Sequence, residues 1–134
     1  MTFNWKQIRQ LVVDTAENEI LPKFLHIASD TKADGTLVTA VDLAVQQCIR
    51  TALAHDYAEV PLLGEEMPAG QQQQILQATE TGFWCLDPLD GTSNFVAGMP
   101  CYAISLAYIK QDETQYGIVY DPVRRECFEA IAGE

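Results

Sequence analysis

Phe83-Trp84-Cys85-Leu86-Asp87-Pro88-Leu89-Asp90-Gly91-Thr92-Ser93-Asn94-Phe95 sets the terms on which the rest of this chain is read. Phe83, Trp84 and Leu86 form a short apolar run of the kind that fills a buried strand. The run empties into a turn that carries two carboxylates, Asp87 and Asp90, three residues apart. Pro88 fixes one φ angle and removes one backbone donor, so the turn is expected to be stiff, with carbonyls free to point inward. Gly91 lets the backbone approach a ligand closely. Thr92, Ser93 and Asn94 bring hydroxyl and amide groups to the start of a short helix, and such an end attracts phosphate. Hard oxygen ligands beside an anion cradle suit Mg²⁺ acting on a phosphate.

Strand signals continue downstream. Tyr102 to Ile109 alternates large side chains with small ones. Gln115 to Tyr120 follows an Asp112-Glu113 turn, and Glu126 to Ile131 follows Asp121-Pro122. Upstream, Val60-Pro61-Leu62-Leu63 reads as a short strand ending at Gly64-Glu65-Glu66, and Gln71 to Gln74 begin a modest helix or a loose connection. From Phe3 to about Ser29, Ile8, Leu11, Val12, Ala16, Ile20, Phe24 and Ala28 keep helical spacing, with Pro22 expected to kink or divide the helix. The polar segment Asp30 to Thr36 reads as a turn or hairpin tip. Thr39 and Asp42 resemble a capping pair, opening a helix to about His55 whose buried stripe is Val41, Ala44, Val45, Cys48, Ile49, Ala52 and Leu53. Two long helices followed by strands on short turns predict an α+β fold, two N-terminal helices packed on a largely antiparallel sheet. No internal repeat or interdomain linker is seen, so residues 1–134 read as one domain.

With 134 residues and 48% hydrophobic content, the chain can bury a substantial core. The net charge of −11, from 19 acidic and 8 basic side chains, disfavours nucleic acid and anionic membrane surfaces as partners. Cys48, Cys85, Cys101 and Cys127 show no C-x-x-C spacing, which points to neither a zinc site nor a disulfide framework. Met1-Thr2-Phe3-Asn4-Trp5-Lys6 opens an amphipathic pattern instead of a signal peptide. No run of about eighteen apolar residues spans a bilayer, so the cytoplasm is the default location. His26 and His55 stand on helices without partner ligands, and Tyr102, Tyr108, Tyr116 and Tyr120 fit sheet packing.

Four acids at strand or helix ends carry the candidate chemistry: Asp42, Glu65, Asp87 and Asp90. On one rigid turn, Asp87 and Asp90 can present oxygens to a common point, or to two points about 3.5–4 Å apart as in paired-metal phosphatases. The Leu89 carbonyl between them is a natural extra ligand. Taken by itself, Asp42 reads first as a helix-capping acid, a role that can coexist with one in the site. Glu66 reads as solvated, and Lys32 as either a solvated loop residue or a mobile cation near a phosphate.

Asp-Pro-Leu-Asp-Gly-Thr-Ser-Asn-Phe, residues 87–95, resembles the signature of the inositol monophosphatase family, in the lithium-sensitive Mg²⁺-dependent phosphatase superfamily. Leu63-Gly64-Glu65-Glu66 and the run from Lys32 to Asp42 follow the family's order, and Phe95 to Ala130 resembles its sheet. The resemblance implies two or three Mg²⁺ ions, with Mn²⁺ as a substitute. Glu65, Asp87 and the Leu89 carbonyl would hold the first ion, Asp87 and Asp90 the second, and Glu65 would also help position water. Thr92, directed towards Asp42, would orient the attacking water, while Gly91, Thr92, Ser93 and Asp90 would meet the phosphate and substrate. Direct hydrolysis of a small phosphomonoester is implied, inositol 1-phosphate first among candidates. 3′-Phosphoadenosine 5′-phosphate and fructose 1,6-bisphosphate are alternatives, as is a non-catalytic binding or regulatory module that keeps the metal turn. The family draws a further metal-binding aspartate from a Trp-Asp-x-Ala-Ala-Gly motif in its C-terminal half, and the tryptophans here are Trp5 and Trp84 only. The chain therefore resembles an N-terminal half, expected to be weakly active or inactive alone. The full-length form would pair as a homodimer, and the shorter sheet is expected to self-associate.

Overall fold

The computed structural model describes residues 2–30, 35–64, 67–77 and 80–134, with side chains except over 26–39. Helix α1 (Trp5–Thr15) starts at Asn4, whose side-chain oxygen accepts the Gln7 N–H at 3.2 Å. Its buried positions Ile8, Val12 and Thr15 continue into Ala16 and Ile20. The expected division near Pro22 takes the form of a π-turn. Residues Ala16–Ile20 widen so that Leu21 N–H reaches the Ala16 carbonyl, and α2 (Leu21–Asp30) carries Pro22 in its first turn. A proline lacks the N–H for the carbonyl four residues back and crowds it; near a fresh helix start that donor is dispensable.

Helix α3 spans Gly35–Asp56 and corrects the reading of Thr39 and Asp42. Thr39 lies inside the helix, and Asp42 sits about two turns past its start, so neither residue caps it. Once nucleated, a helix gains one hydrogen bond per added residue, which outweighs the small propensity deficit of Thr36 and Val38. The expected turn at 30–36 is thereby shortened, and its residues 31–34 lie outside the described ones. The buried stripe of α3 is narrower than expected: Val41, Val45, Ile49 and Leu53 are buried, whereas Cys48 is exposed.

The remaining elements are β1 (Leu62–Leu63), α4 (Ala69–Leu76), β2 (Phe83–Asp90), α5 (Thr92–Val96), β3 (Ala103–Lys110), β4 (Glu113–Asp121) and β5 (Glu126–Ile131). They form one sheet in the order β1-β2-β3-β4-β5. β1 runs parallel to β2, and every other pairing is antiparallel. The β3–β4 hairpin turns at Gln111-Asp112, one residue earlier than expected, with φ of 53° and 61°. Two successive left-handed residues match the right-handed twist of the flanking strands.

One sheet face meets the helices. Trp84, Leu86, Ile104, Leu106, Tyr108, Tyr116, Ile118 and Tyr120 share a core with Val12, Ala16, Ile20, Val45 and Ile49. Each large side chain so buried stabilises by about 1.5–3 kcal/mol. Phe3, Trp5, Tyr57, Trp84, Tyr108 and Tyr116 extend it as an aromatic cluster, with Trp5 stacked on Tyr116 at 4.3 Å. Two tyrosines clasp the sheet to acidic partners. Tyr116 donates to Glu129 at 2.6 Å, and Tyr120 donates to Glu17 on the π-turn at 2.9 Å. On the opposite sheet face the register aligns Cys85, Ala107, Gly117 and Ala130 in one row and Asp87, Ser105, Val119 and Phe128 in the next. Among the described residues, no helix is long and apolar enough to cross a membrane.

Candidate functional site

β1 and β2 run parallel with Leu63 beside Cys85, so both chains leave the pair at the same end. Asp87 lies beyond Cys85 on β2, and Gly64 follows Leu63 on the other side. Carboxyl ends of parallel strands gather ligand groups, because the backbone there is released from its ladder. Glu65 comes directly after Gly64 in the chain but lies outside the described residues, as does Lys32.

The expected turn at Asp87–Asp90 is instead a bulge within β2. Asp87 pairs with Ser105 and Asp90 with Ala103, so Pro88 and Leu89 together oppose Ile104 alone. Pro88 has no N–H to offer the ladder, which explains the irregularity at this point. The bulge has a consequence for the acids. In a regular strand, residues three apart face opposite sides of the sheet. One extra residue cancels that reversal, and Asp87 and Asp90 share the face opposite the helices, in register with Ser105 and Ala103. Asp87 is half-buried and its Oδ1 accepts the Leu89 N–H at 3.3 Å, while Asp90 is exposed and the Leu89 side chain is buried in the core.

Gly91 follows with φ of 96° and begins α5. A Cβ there would lie 2.7 Å from the Cys101 carbonyl oxygen and 3.2 Å from Tyr102 Cα. The glycine thereby permits a close approach of the returning backbone at 101–102. Asn94 reinforces it by donating from Nδ2 to the same Cys101 carbonyl at 2.9 Å. Phe95 is fully buried against Phe24 and Tyr102, anchoring α5 and leaving Thr92 and Ser93 exposed at its start. Helix α3, which carries the half-buried Asp42, packs against both β2 and α5.

Beside Asp90 and Gly91 opens a cavity of about 370 Å³, lined also by Asn94, Tyr102, Asp121 and Phe128. Sequence reading placed Asn94 at the start of the short helix but did not assign Asp121 to this margin; the Asp121-Pro122 turn signal gave only the end of a strand. Asp121 accepts the Val123 and Arg124 N–H groups at 3.0 and 3.1 Å and pairs with the Arg124 guanidinium at 2.9 Å. Arg124 also donates to the Pro100 carbonyl at 2.8 Å, tying the β4–β5 turn to the loop after α5. The Tyr102 hydroxyl is buried without a hydrogen-bond partner among the described residues. Burial first, and the Asp121 charge second, push its pKa up and keep it protonated.

Among the described residues, no three His, Cys, Asp or Glu side chains are gathered for a metal ion. What β2 offers is two carboxylates on one face with the Leu89 carbonyl between them, and such hard, anionic oxygens fit Mg²⁺ and not a soft metal.

Helices layered on a largely antiparallel sheet, with two aspartates on one face of a bulged strand ahead of a short helix, define an α+β protein. The pattern of the inositol monophosphatase family matches residues 5–134, and the chain belongs to that family. It is 36% identical over 105 residues to the Nus factor SuhB of Pasteurella multocida (strain Pm70), covering 77% of this chain and 37% of that protein. It is 34% identical over 98 residues to inositol monophosphatase 1 of Bos taurus, covering 73% of this chain and 35% of that protein. Among solved structures, inositol monophosphatase-II from Staphylococcus aureus MSSA476 superimposes with a TM-score of 0.76 at 26% identity, over 97% of this chain and 46% of that one. The extragenic suppressor protein suhB from Bartonella henselae shares the fold with a TM-score of 0.74 at 23% identity, over 100% of this chain and 50% of its own. The chain thus spans less than half the length of the curated relatives it matches.

Proposed function

We propose that this chain supplies the carboxylate-bearing part of a Mg²⁺-dependent phosphomonoesterase, with inositol 1-phosphate as the leading substrate class. The observation that carries the reading is the bulge at Pro88-Leu89, which returns Asp87 and Asp90 to one face beside the carboxyl end of β1. Membership of the inositol monophosphatase family and likeness to inositol monophosphatase 1 of Bos taurus support it. In this reading Glu65, Asp87 and the Leu89 carbonyl hold one ion, and Asp87 and Asp90 hold a second. When bound, Mg²⁺ supplies Lewis acidity for phosphate ester cleavage. Thr92 and Asp42 orient the attacking water, and the Gly91 and Thr92 N–H groups with Ser93 hold the phosphate. Lys32 is assigned to charge balance near that phosphate. The full-length form is a cytoplasmic homodimer in this reading.

A second reading, a binding module without turnover, draws on the likeness to proteins named Nus factor SuhB. Calorimetric titration with Mg²⁺ tests the metal assignment: Asp87→Ala is expected to weaken binding by about tenfold or more. Equal binding by wild type and variant removes Asp87 as a ligand. Phosphate release from inositol 1-phosphate then separates the two readings. Mg²⁺ uptake with no release favours the module.

A further inference from the structure

Glu65 and Glu66 are flanked by Gly64 and Met67, and the two flanks are fastened to each other. Met67 N–H donates to the Gly64 carbonyl at 3.3 Å, and Gly64 N–H donates to Met67 Sδ at 3.3 Å. A single side chain then spans both ends. Gln72 Nε2 donates to the Met67 carbonyl at 2.8 Å and lies 3.4 Å from the Gly64 carbonyl. A primary amide has two N–H donors on one nitrogen, so it can serve two carbonyls at once. Gln72 is itself fixed, because its backbone N–H bonds to the Pro68 carbonyl at 3.1 Å at the start of α4. From α3, the buried Gln46 closes over Gly64 so tightly that a Cβ there would lie 3.2 Å from Gln46 Oε1.

The glutamine run therefore divides. Gln71, Gln73 and Gln74 are exposed, as solubilising side chains should be, whereas Gln72 is half-buried and turned onto two backbone carbonyls. We propose that Gln72 is a positioning residue, a clamp that ties Gly64 to Met67, the described residues on either side of Glu65 and Glu66 in the chain. The role rests on the reading of Glu65 as a Mg²⁺ ligand. A metal ligand must be held to within about 0.5 Å of its productive position by surrounding packing and hydrogen bonds, and Gly64 and Met67 are where such support attaches to the chain around Glu65.

The test uses Gln72→Met, which keeps the length and removes the N–H donors. Gln73→Met, one position along the same helix, serves as the control. Amide hydrogen exchange at Met67 without metal is expected to rise about tenfold in Gln72→Met, with the amides of β2 to β4 and the Gln73→Met variant unchanged. Calorimetric Mg²⁺ affinity is expected to fall about tenfold in Gln72→Met and to hold in Gln73→Met. Gln72→Lys, which keeps both reach and donors, is expected to restore slow exchange at Met67, and it carries the test should Gln72→Met fail to fold. Met67 exchange as slow in Gln72→Met as in wild type overturns the proposal, as does equally fast exchange in Gln72→Lys and Gln72→Met. Unchanged Mg²⁺ affinity in Gln72→Met alongside lost affinity in Asp87→Ala also overturns it, leaving the metal assignment intact. If wild type takes up no Mg²⁺, the metal reading falls, and Met67 exchange alone decides whether Gln72 is the clamp.

Discussion

Gly91 and Cys101 are in contact through their backbones: the Cys101 carbonyl oxygen occupies the space 2.7 Å from where a Gly91 Cβ would be. The chain reverses through α5 between the two, so the margin of β2 and the start of β3 are set against each other by the absence of one methyl group. Gly91→Ala is expected to lower stability by about 1–3 kcal/mol from the left-handed backbone alone, with the clash adding to it. Thermal melting would register this as a drop of several degrees. Asn94→Ala, which removes only the bond to the same carbonyl, is expected to cost about 1 kcal/mol.

The tyrosines of the sheet differ in what their hydroxyls meet. Tyr116 and Tyr120 donate to Glu129 and Glu17, whereas the Tyr102 hydroxyl is buried without a partner among the described residues. Tyr116→Phe and Tyr120→Phe are expected to cost about 1–2 kcal/mol each in urea unfolding, since each strips a hydrogen bond from a carboxylate. Tyr102→Phe removes an unsatisfied polar atom at nearly constant volume and is expected to be neutral or stabilising. Equal destabilisation by all three would contradict this picture.

The same groups give the fold an alkaline limit. Burial, reinforced by the bond to Glu17, pushes the Tyr120 phenol up to about 12. An unfolded tyrosine titrates near 10, so the folded state holds the proton more tightly. The stability this contributes is complete below about pH 10 and is lost as pH rises towards about 12. Tyr102 and Tyr116 are shifted in the same direction, chiefly by burial, and add to the loss. The urea midpoint is expected to fall across that window, and to fall less steeply in Tyr120→Phe than in wild type.

Val119 and Phe128 face each other across β4 and β5 on the sheet face away from the helices, and are 40% and 60% exposed. An apolar pair of this size on an open sheet face favours association. The chain is expected to sediment as a concentration-dependent oligomer, and Phe128→Lys to shift it towards monomer with little change in melting temperature. A stable wild-type monomer at high concentration would count against it.

Much of the architecture was legible because it rests on local periodicity. The stripe Ile8, Val12, Ala16, Ile20 is written at helical spacing, and Ile104, Leu106, Tyr108 alternate as a half-buried strand must. The proximity of Asp87 and Asp90 was also legible, since three residues of chain cannot separate them far. Their common face was not, because it depends on β3, which fixes the register that Pro88 then breaks. Helix α3 starting at Gly35 was misread for a related reason: the Thr39–Asp42 pair has the spacing of an N-terminal cap, but such a cap forms only where the helix begins, and this one begins at Gly35.

Residue order fixed the chemical inventory of this protein, the hard oxygen donors at 87–90, the glycine at 91 and the apolar stripes that drive helices onto strands, since these follow from covalent neighbours and spacing. The shared face of the two aspartates, the seating of Gly91 on the Cys101 carbonyl and the reach of Gln72 to two carbonyls came only with the packed chain. Each depends on where a distant backbone comes to rest, and that position is set by burial of the whole core and not by any short run of residues.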